Sequence, residues 1–160
     1  MSEKETEKVL TAFKTAGADF TLKEHEPVLT SKDAARVRGS LLKQGVKALV
    51  IKIKKPEEFV IVNVPADKRV NLKKVKQILN VNRLTIATPK EALYITGCEV
   101  GSVPPLGHKN NLKILVDETV FDNDFNEFNI GQKTVSAKIK TSDLKKVFEK
   151  QQALICKIKE

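Results

Sequence analysis

Apolar residues recur along the chain at two spacings, and the switches between them outline the elements. Near the start, Val9, Leu10 and Phe13 form a helical stripe. Ser2 with Glu5 three residues on has the form of a capping box, and Gly17 supplies a C-terminal stop. "DFTLKEHEPV" reads as a strand running into a proline-marked turn. "TSKDAARVRG" reads as a short helix, capped by Thr30 or Ser31 and stopped at Gly39.

The period then drops to two. "GVKALVIKIKK" and "EEFVIVNVP" are Val/Ile-rich runs joined by a charged, turn-like link, the pattern of a β-hairpin. In "NLKKVKQILN" the helical period returns: Leu72, Val75, Ile78 and Leu79 share a face, with Lys73, Lys74 and Lys76 off it. "RLTIA" is a short strand. "TPKEALYITG" carries a full set of helix signals, with Thr88 as cap, Pro89 at the first helical position, Glu91 closing the box and Gly97 ending it. Beyond it come a glycine-proline loop, the strand "LKILVD", a polar acidic loop "ETVFDNDFNEFNIG", the strand "KTVSAKIK" and a final capped helix "TSDLKKVFEKQ".

Helices and strands mix without a strict βαβ rhythm, which predicts an α+β fold. The sheet is expected to be curved, barrel-like, mixed and mostly antiparallel, flanked by helices. No repeat, linker or composition shift divides the chain, so residues 1–160 are expected to form a single domain. At 41% apolar, with one Tyr, no Trp and seven Phe, the core must be largely aliphatic. No apolar run approaches the ~20 residues that cross a bilayer. The N-terminus is charged from its third residue, unlike a secretory signal, and Cys98 and Cys156 form no C-x-x-C. A reduced, cytoplasmic chain is the simple expectation. Lys plus Arg number 29 against 20 acidic residues, a net charge of +9. That suits a polyanionic partner, although lysine-rich surfaces also serve solubility.

Alternation singles out one lysine. In "GVKALVIKIK", Lys47, Leu49, Ile51 and Ile53 share one face, while Val46, Ala48, Val50, Lys52 and Lys54 share the other. Lys52 and Lys54 end the strand and can reach solvent. Lys47 begins the apolar face that should look toward the core, where an unpaired ammonium is costly. Either it snorkels out from a strand end, or it stands at the mouth of a cavity that takes an anionic or carbonyl-bearing ligand.

Other chemistry is sparse. His25 and His108 have no partner at metal-ligand spacing, so neither a metal nor a cofactor is implied. Cys98 with His108 could form a nucleophile and base, against the simpler reading of a small packed cysteine. "GCEVGSVPPLG" contains G-x-x-x-G, but it follows a helix and precedes a strand, the reverse of a dinucleotide fingerprint.

Taken in order, "HEPVLTSKDAARVRG", "VKALVIK", "VNLKKVKQILN", "GCEVGSVPPLG", "ILVDETVF" and "FNIGQKTVSAKIKTSDLKKVF" resemble the YbaK/ProX family of aminoacyl-tRNA deacylases. These are relatives of the editing insertion domain of bacterial prolyl-tRNA synthetases. The resemblance runs roughly from Phe20 to Phe148. It implies hydrolysis of the ester joining a wrong amino acid to tRNA, most often the tRNA for proline. It places Lys47 at the family's near-invariant lysine. The family's G-x-x-x-G-x-x-x-P loop falls on Gly97, Gly101 and Pro105, with Gly107 following. By the same resemblance, this loop, with Ser102 and Val103, would hold the aminoacyl group and the terminal adenosine. Family members lack a protein nucleophile and rely on substrate-assisted attack, which suits a chain without a triad.

The implied partner is mischarged tRNA, with Lys73, Lys74 and Lys76 as candidate docking cations and prolyl-tRNA synthetase as a candidate associate of a monomeric enzyme. Two positions depart from the family pattern: Lys23, where cysteine-clearing members often have Tyr before Glu-His, and Pro104, where many members have Ser or Thr before the loop proline. A second proline removes an N–H donor and a hydroxyl, which favours alanyl over cysteinyl as the ester cleaved. The alternatives are a non-catalytic tRNA- or synthetase-binding module of the same fold and a Cys98–His108 thiol hydrolase.

Overall fold

The computed structural model describes residues 2–28, 30–108 and 112–160. The side chain of Ser2, and with it the expected Ser2–Glu5 box, lies outside the described residues. In chain order the elements are α1 (Ser2–Thr15), β1 (Phe20–Glu24), α2 (Ser31–Arg38), β2 (Val46–Lys54), β3 (Glu57–Pro65), α3 (Leu72–Leu79) and β4 (Leu84–Ile86). Then come α4 (Pro89–Thr96), β5 (Lys113–Asp117), β6 (Phe125–Asn129), β7 (Val135–Lys140), α5 (Thr141–Lys150) and β8 (Leu154–Cys156). Short 3₁₀ turns at Leu42–Gln44 and Glu118–Asp122 join the helices and strands around them.

The local signals act where they stand. Thr30 caps α2 by accepting from the Asp33 amide, and Gly39 ends it in the left-handed region. Thr88 and Glu91 close a reciprocal box over α4, and Gly97 ends that helix at φ +74°. The Glu91 carboxylate also takes an ion pair from Lys52 at 2.6 Å, which ties α4 to β2.

The hairpin is the centre of the fold. β2 and β3 pair antiparallel from Val46↔Pro65 to Lys54↔Glu57. Around them builds a five-stranded sheet in the order β4-β2-β3-β5-β8, with β5 and β8 added in parallel. A separate three-stranded antiparallel sheet runs β1-β7-β6. The α+β, mixed and mostly antiparallel expectation holds. The strands form two sheets, neither closed into a barrel.

Both faces of the large sheet are buried. On one side, Val46, Val50 and Ile61 pack with Phe13 of α1, Phe128 of β6 and Phe148 of α5. On the other, Ile51, Ile53, Val60, Val62 and Val64 pack under Val75 of α3. Val46, Ala48 and Val50, which alternation put off Lys47's face, therefore also meet a core.

Three expectations need correction. The stretch read as an acidic loop contains β6. It hides from periodicity because Asn126, Glu127 and Asn129 are buried polar residues, where alternation looks for apolar ones. Asn126 Nδ2 donates to Thr141 Oγ1 at 3.0 Å, so that hydroxyl meets β6, and α5 has no side-chain cap at its start. Finally, Leu154–Cys156 forms β8, a strand too short to show a period. The Asp117 carboxylate secures the turn after it by accepting from the Ile158 and Lys159 amides at 2.8 and 3.0 Å.

Candidate active site

A cavity of about 140 Å³ opens where four segments meet. α2 contributes Ala34 and Arg38, the start of β2 contributes Lys47 and Ala48, the glycine loop contributes Gly101 and Val103, and β6 ends there with Asn129. Val28, the α2 cap Thr30, Ser31, Gly45, Val46 and Ala66 also line it. The described lining holds hydroxyls, amides and two cations, with no thiol, imidazole or carboxylate.

Lys47 lies opposite Val64 of β3, at the end of the row that buries Leu49, Ile51 and Ile53. It is half-buried, and among the described residues its ammonium has no hydrogen-bond or ion-pair partner. Burial pushes its pKa below the usual lysine value, the Arg69 cation adds to the lowering, and Asp67 partly offsets it. An unpaired ammonium facing a small cavity is poised for an anionic or carbonyl oxygen.

The glycine loop divides. Gly101, at φ +93°, and Val103 face the cavity, and a Cβ on Gly101 would meet nothing within 4 Å. The Gly101 carbonyl accepts from Asn129 Nδ2 at 2.7 Å. The other predicted loop residues do not line the cavity. Ser102 donates through its hydroxyl to the Glu99 carbonyl at 2.8 Å. The Pro105 carbonyl is tied to Asn63 Nδ2 at 3.0 Å. Gly97 packs against Glu5 and Gly107 against Val9, both on α1. Pro104 also lies off the cavity, where its carbonyl accepts from His108 Nε2 at 2.8 Å. Its stiffness, on which the alanyl preference rested, therefore acts away from the lining.

Cys98 is almost fully buried, with its sulfur toward the Thr96 carbonyl, and does not line the cavity. Burial drives the His108 pKa down to about 4, against a smaller opposing effect of the Pro104 hydrogen bond. Lys73, Lys74 and Lys76 stand on α3, over the second core, and none lines the cavity. Lys74 Nζ donates to the Lys159 carbonyl at 3.1 Å.

Sequence reasoning missed Arg38, Asn129 and Ser136. Arg38 Nε donates to Ser136 Oγ at 2.8 Å and Nη2 to Asn129 Oδ1 at 3.1 Å. The one sequence signal was a second arginine at the end of "AARVRG", beside a glycine stop.

The sequence and the fold both match known proteins. The sequence profile of the aminoacyl-tRNA editing domain matches residues 25–147. The multifunctional Ser/Thr-tRNA deacylase ProXp-y of Escherichia coli is 34% identical over 131 residues, spanning 79% of this chain and 78% of that protein. The proline–tRNA ligase of Bacillus cytotoxicus is 34% identical over 77 residues, which span 48% of this chain and 13% of the ligase. Among solved structures, a candidate trans-editing enzyme for prolyl tRNA synthetase superposes with a TM-score of 0.82 at 26% identity, covering 98% of this chain and 97% of that one.

Proposed function

The chain belongs to the aminoacyl-tRNA editing domain family, and from that premise we propose that it is a trans-editing hydrolase cleaving the ester of mischarged aminoacyl-tRNA. The observation that carries this reading is Lys47, a cation without a described partner that lines a small cavity also lined by Gly101, whose Cβ position is open. Ester hydrolysis builds negative charge on the carbonyl oxygen, which a preorganised cation and bare backbone amides stabilise. With no thiol in the described lining, and no imidazole or carboxylate there to activate the Thr30 or Ser31 hydroxyl, the attacking group is water or a group of the substrate itself.

A cavity of about 140 Å³ favours a small aminoacyl group. Alanyl and cysteinyl esters of proline tRNA satisfy this, as do the seryl and threonyl groups named for the Escherichia coli relative. The adenosine and the tRNA body lie outside the cavity on this reading. The net charge of +9 supports docking, with Lys73, Lys74 and Lys76 contributing.

A panel of alanyl-, cysteinyl-, seryl- and threonyl-tRNA, followed for ester loss with wild-type protein and Lys47→Ala, tests the proposal. Cleavage of one or more esters that disappears in the variant supports it. Tight tRNA binding with no cleavage of any ester establishes the non-catalytic module instead. If the basic surface docks tRNA, affinity should fall with salt at a log–log slope of roughly −0.7 to −0.9 per phosphate contacted.

A further inference from the structure

The cavity wall holds a second cation, whose surroundings set it apart from an ordinary surface arginine. Arg38 is held along one edge by rigid partners on β6 and β7, through its bonds to Asn129 and Ser136. Those partners are themselves locked together. The Ser136 hydroxyl donates to Asn129 Oδ1 at 2.9 Å, and Asn129 Nδ2 donates to the Gly101 carbonyl at 2.7 Å. His25 Nε2 approaches the Ser136 oxygen at 2.7 Å, and its other ring nitrogen meets the Glu26 carbonyl at 2.7 Å.

A guanidinium carries five N–H donors in a planar fork. Two are spent on this edge, and the rest have no acceptor among the described residues. Whatever fills the cavity decides whether they are satisfied, and a donor left without an acceptor in a closed site carries a full desolvation cost. Burial lowers the Arg38 pKa to about 10, and the buried Glu127 carboxylate offsets only part of that. The unspent N–H groups call for an acceptor, and a neutral hydroxyl supplies one without placing an anion beside Glu127.

We propose that Arg38 is a specificity-determining residue of this cavity, whose free guanidinium N–H groups donate to the side-chain hydroxyl of the bound aminoacyl group. The inference rests on the deacylase reading. A seryl or threonyl side chain offers the acceptor and fits the volume. An alanyl side chain fits but leaves the donors unpaired, so the alanyl ester favoured from the loop prolines becomes the poorer substrate. A site built around a hydroxyl rejects the analogue without one far more strongly than an apolar pocket rejects a missing methylene.

The experiment compares seryl- and alanyl-tRNA hydrolysis by wild-type protein and Arg38→Met, which keeps a long apolar stem without the donors. The wild type should prefer the seryl ester by about tenfold or more, and the variant should lower the seryl-over-alanyl ratio by roughly 10². Binding of non-hydrolysable amide analogues of 3′-seryl- and 3′-alanyl-adenosine to the wild type gives an answer that does not depend on the variant folding. Equal affinity for the two analogues, or a ratio unmoved by Arg38→Met, overturns the assignment of Arg38 while leaving a deacylase. Failure of the wild type to cleave any ester removes the deacylase reading itself.

Discussion

Gly101 and Gly107 lie six positions apart in one loop, both at positive φ, +93° and +77°, yet they answer to different constraints. A methyl group on Gly101 would meet nothing within 4 Å. On Gly107 it would come within 3.0 Å of the Val9 Cα and 3.2 Å of the Val9 amide nitrogen, backbone atoms of α1 that cannot step aside. One glycine keeps a cavity wall bare, and the other lets the loop press on a helix. The region around Gly101, with Lys47 and Arg38, leaves donors unspent. Around Gly107 the polar groups are spent: the Gly107 amide donates to Gln151, His108 to the Pro104 carbonyl, and the Pro105 carbonyl accepts from Asn63. Glycine density in a loop thus marks both close packing and ligand approach, and only the surroundings tell them apart.

Substitutions in the two regions should separate rate from stability. The largest effect is expected at Lys47. Lys47→Ala should cut deacylation by ~10²–10³, with the melting temperature hardly changed because the ammonium has no described partner to lose. Near wild-type turnover would move the chemistry elsewhere.

On the packed side, His108 should make stability depend on pH. Its folded pKa of about 4 lies below the ordinary 6.5, so the unfolded chain takes up the proton first as pH falls. The contribution is complete above pH 6.5 and is lost progressively toward pH 4, about 3 kcal/mol in all at 1.36 kcal/mol per pKa unit. Denaturation midpoints across that window, for wild type and His108→Asn, measure it. A slope identical in both proteins would mean that another group titrates.

Gly101→Val should lower turnover by ~10² if the ester binds in this cavity, since a branched side chain enters the open space beside Gly101. Its stability loss should stay near 1–2 kcal/mol, from the left-handed backbone alone. An unaffected rate in the folded variant would make this glycine a turn residue like its neighbours.

The smallest effect on catalysis belongs to Gly107→Ala. Contact with the α1 backbone adds to the strain of positive φ, for a loss of about 2–3 kcal/mol in stability. Turnover per folded molecule should be preserved. A variant as stable as wild type but slow would reverse the division drawn between the two halves of the loop.

Elements written in local code are legible in the residues themselves. Caps, stops and periods act within a few residues, so the Thr30–Gly39 and Thr88–Gly97 helices and the hairpin pairing Val46 with Pro65 follow from sequence. The polar strand β6 does not, because its buried residues are satisfied by partners that no local pattern contains. Lys47 stands out through a break in alternation, and the loop through its resemblance to a family. Arg38 shows only as a second arginine beside a glycine stop, since its partners Asn129 and Ser136 stand 91 and 98 residues away. Sequence determined the capped helices, the central hairpin and which lysine begins an apolar face. Only the tertiary structure decided which glycines border empty space and which polar groups converge on it, because hydrogen bonds and close contacts are set by distance in space, and the chain brings β6, β7 and α2 together only on folding.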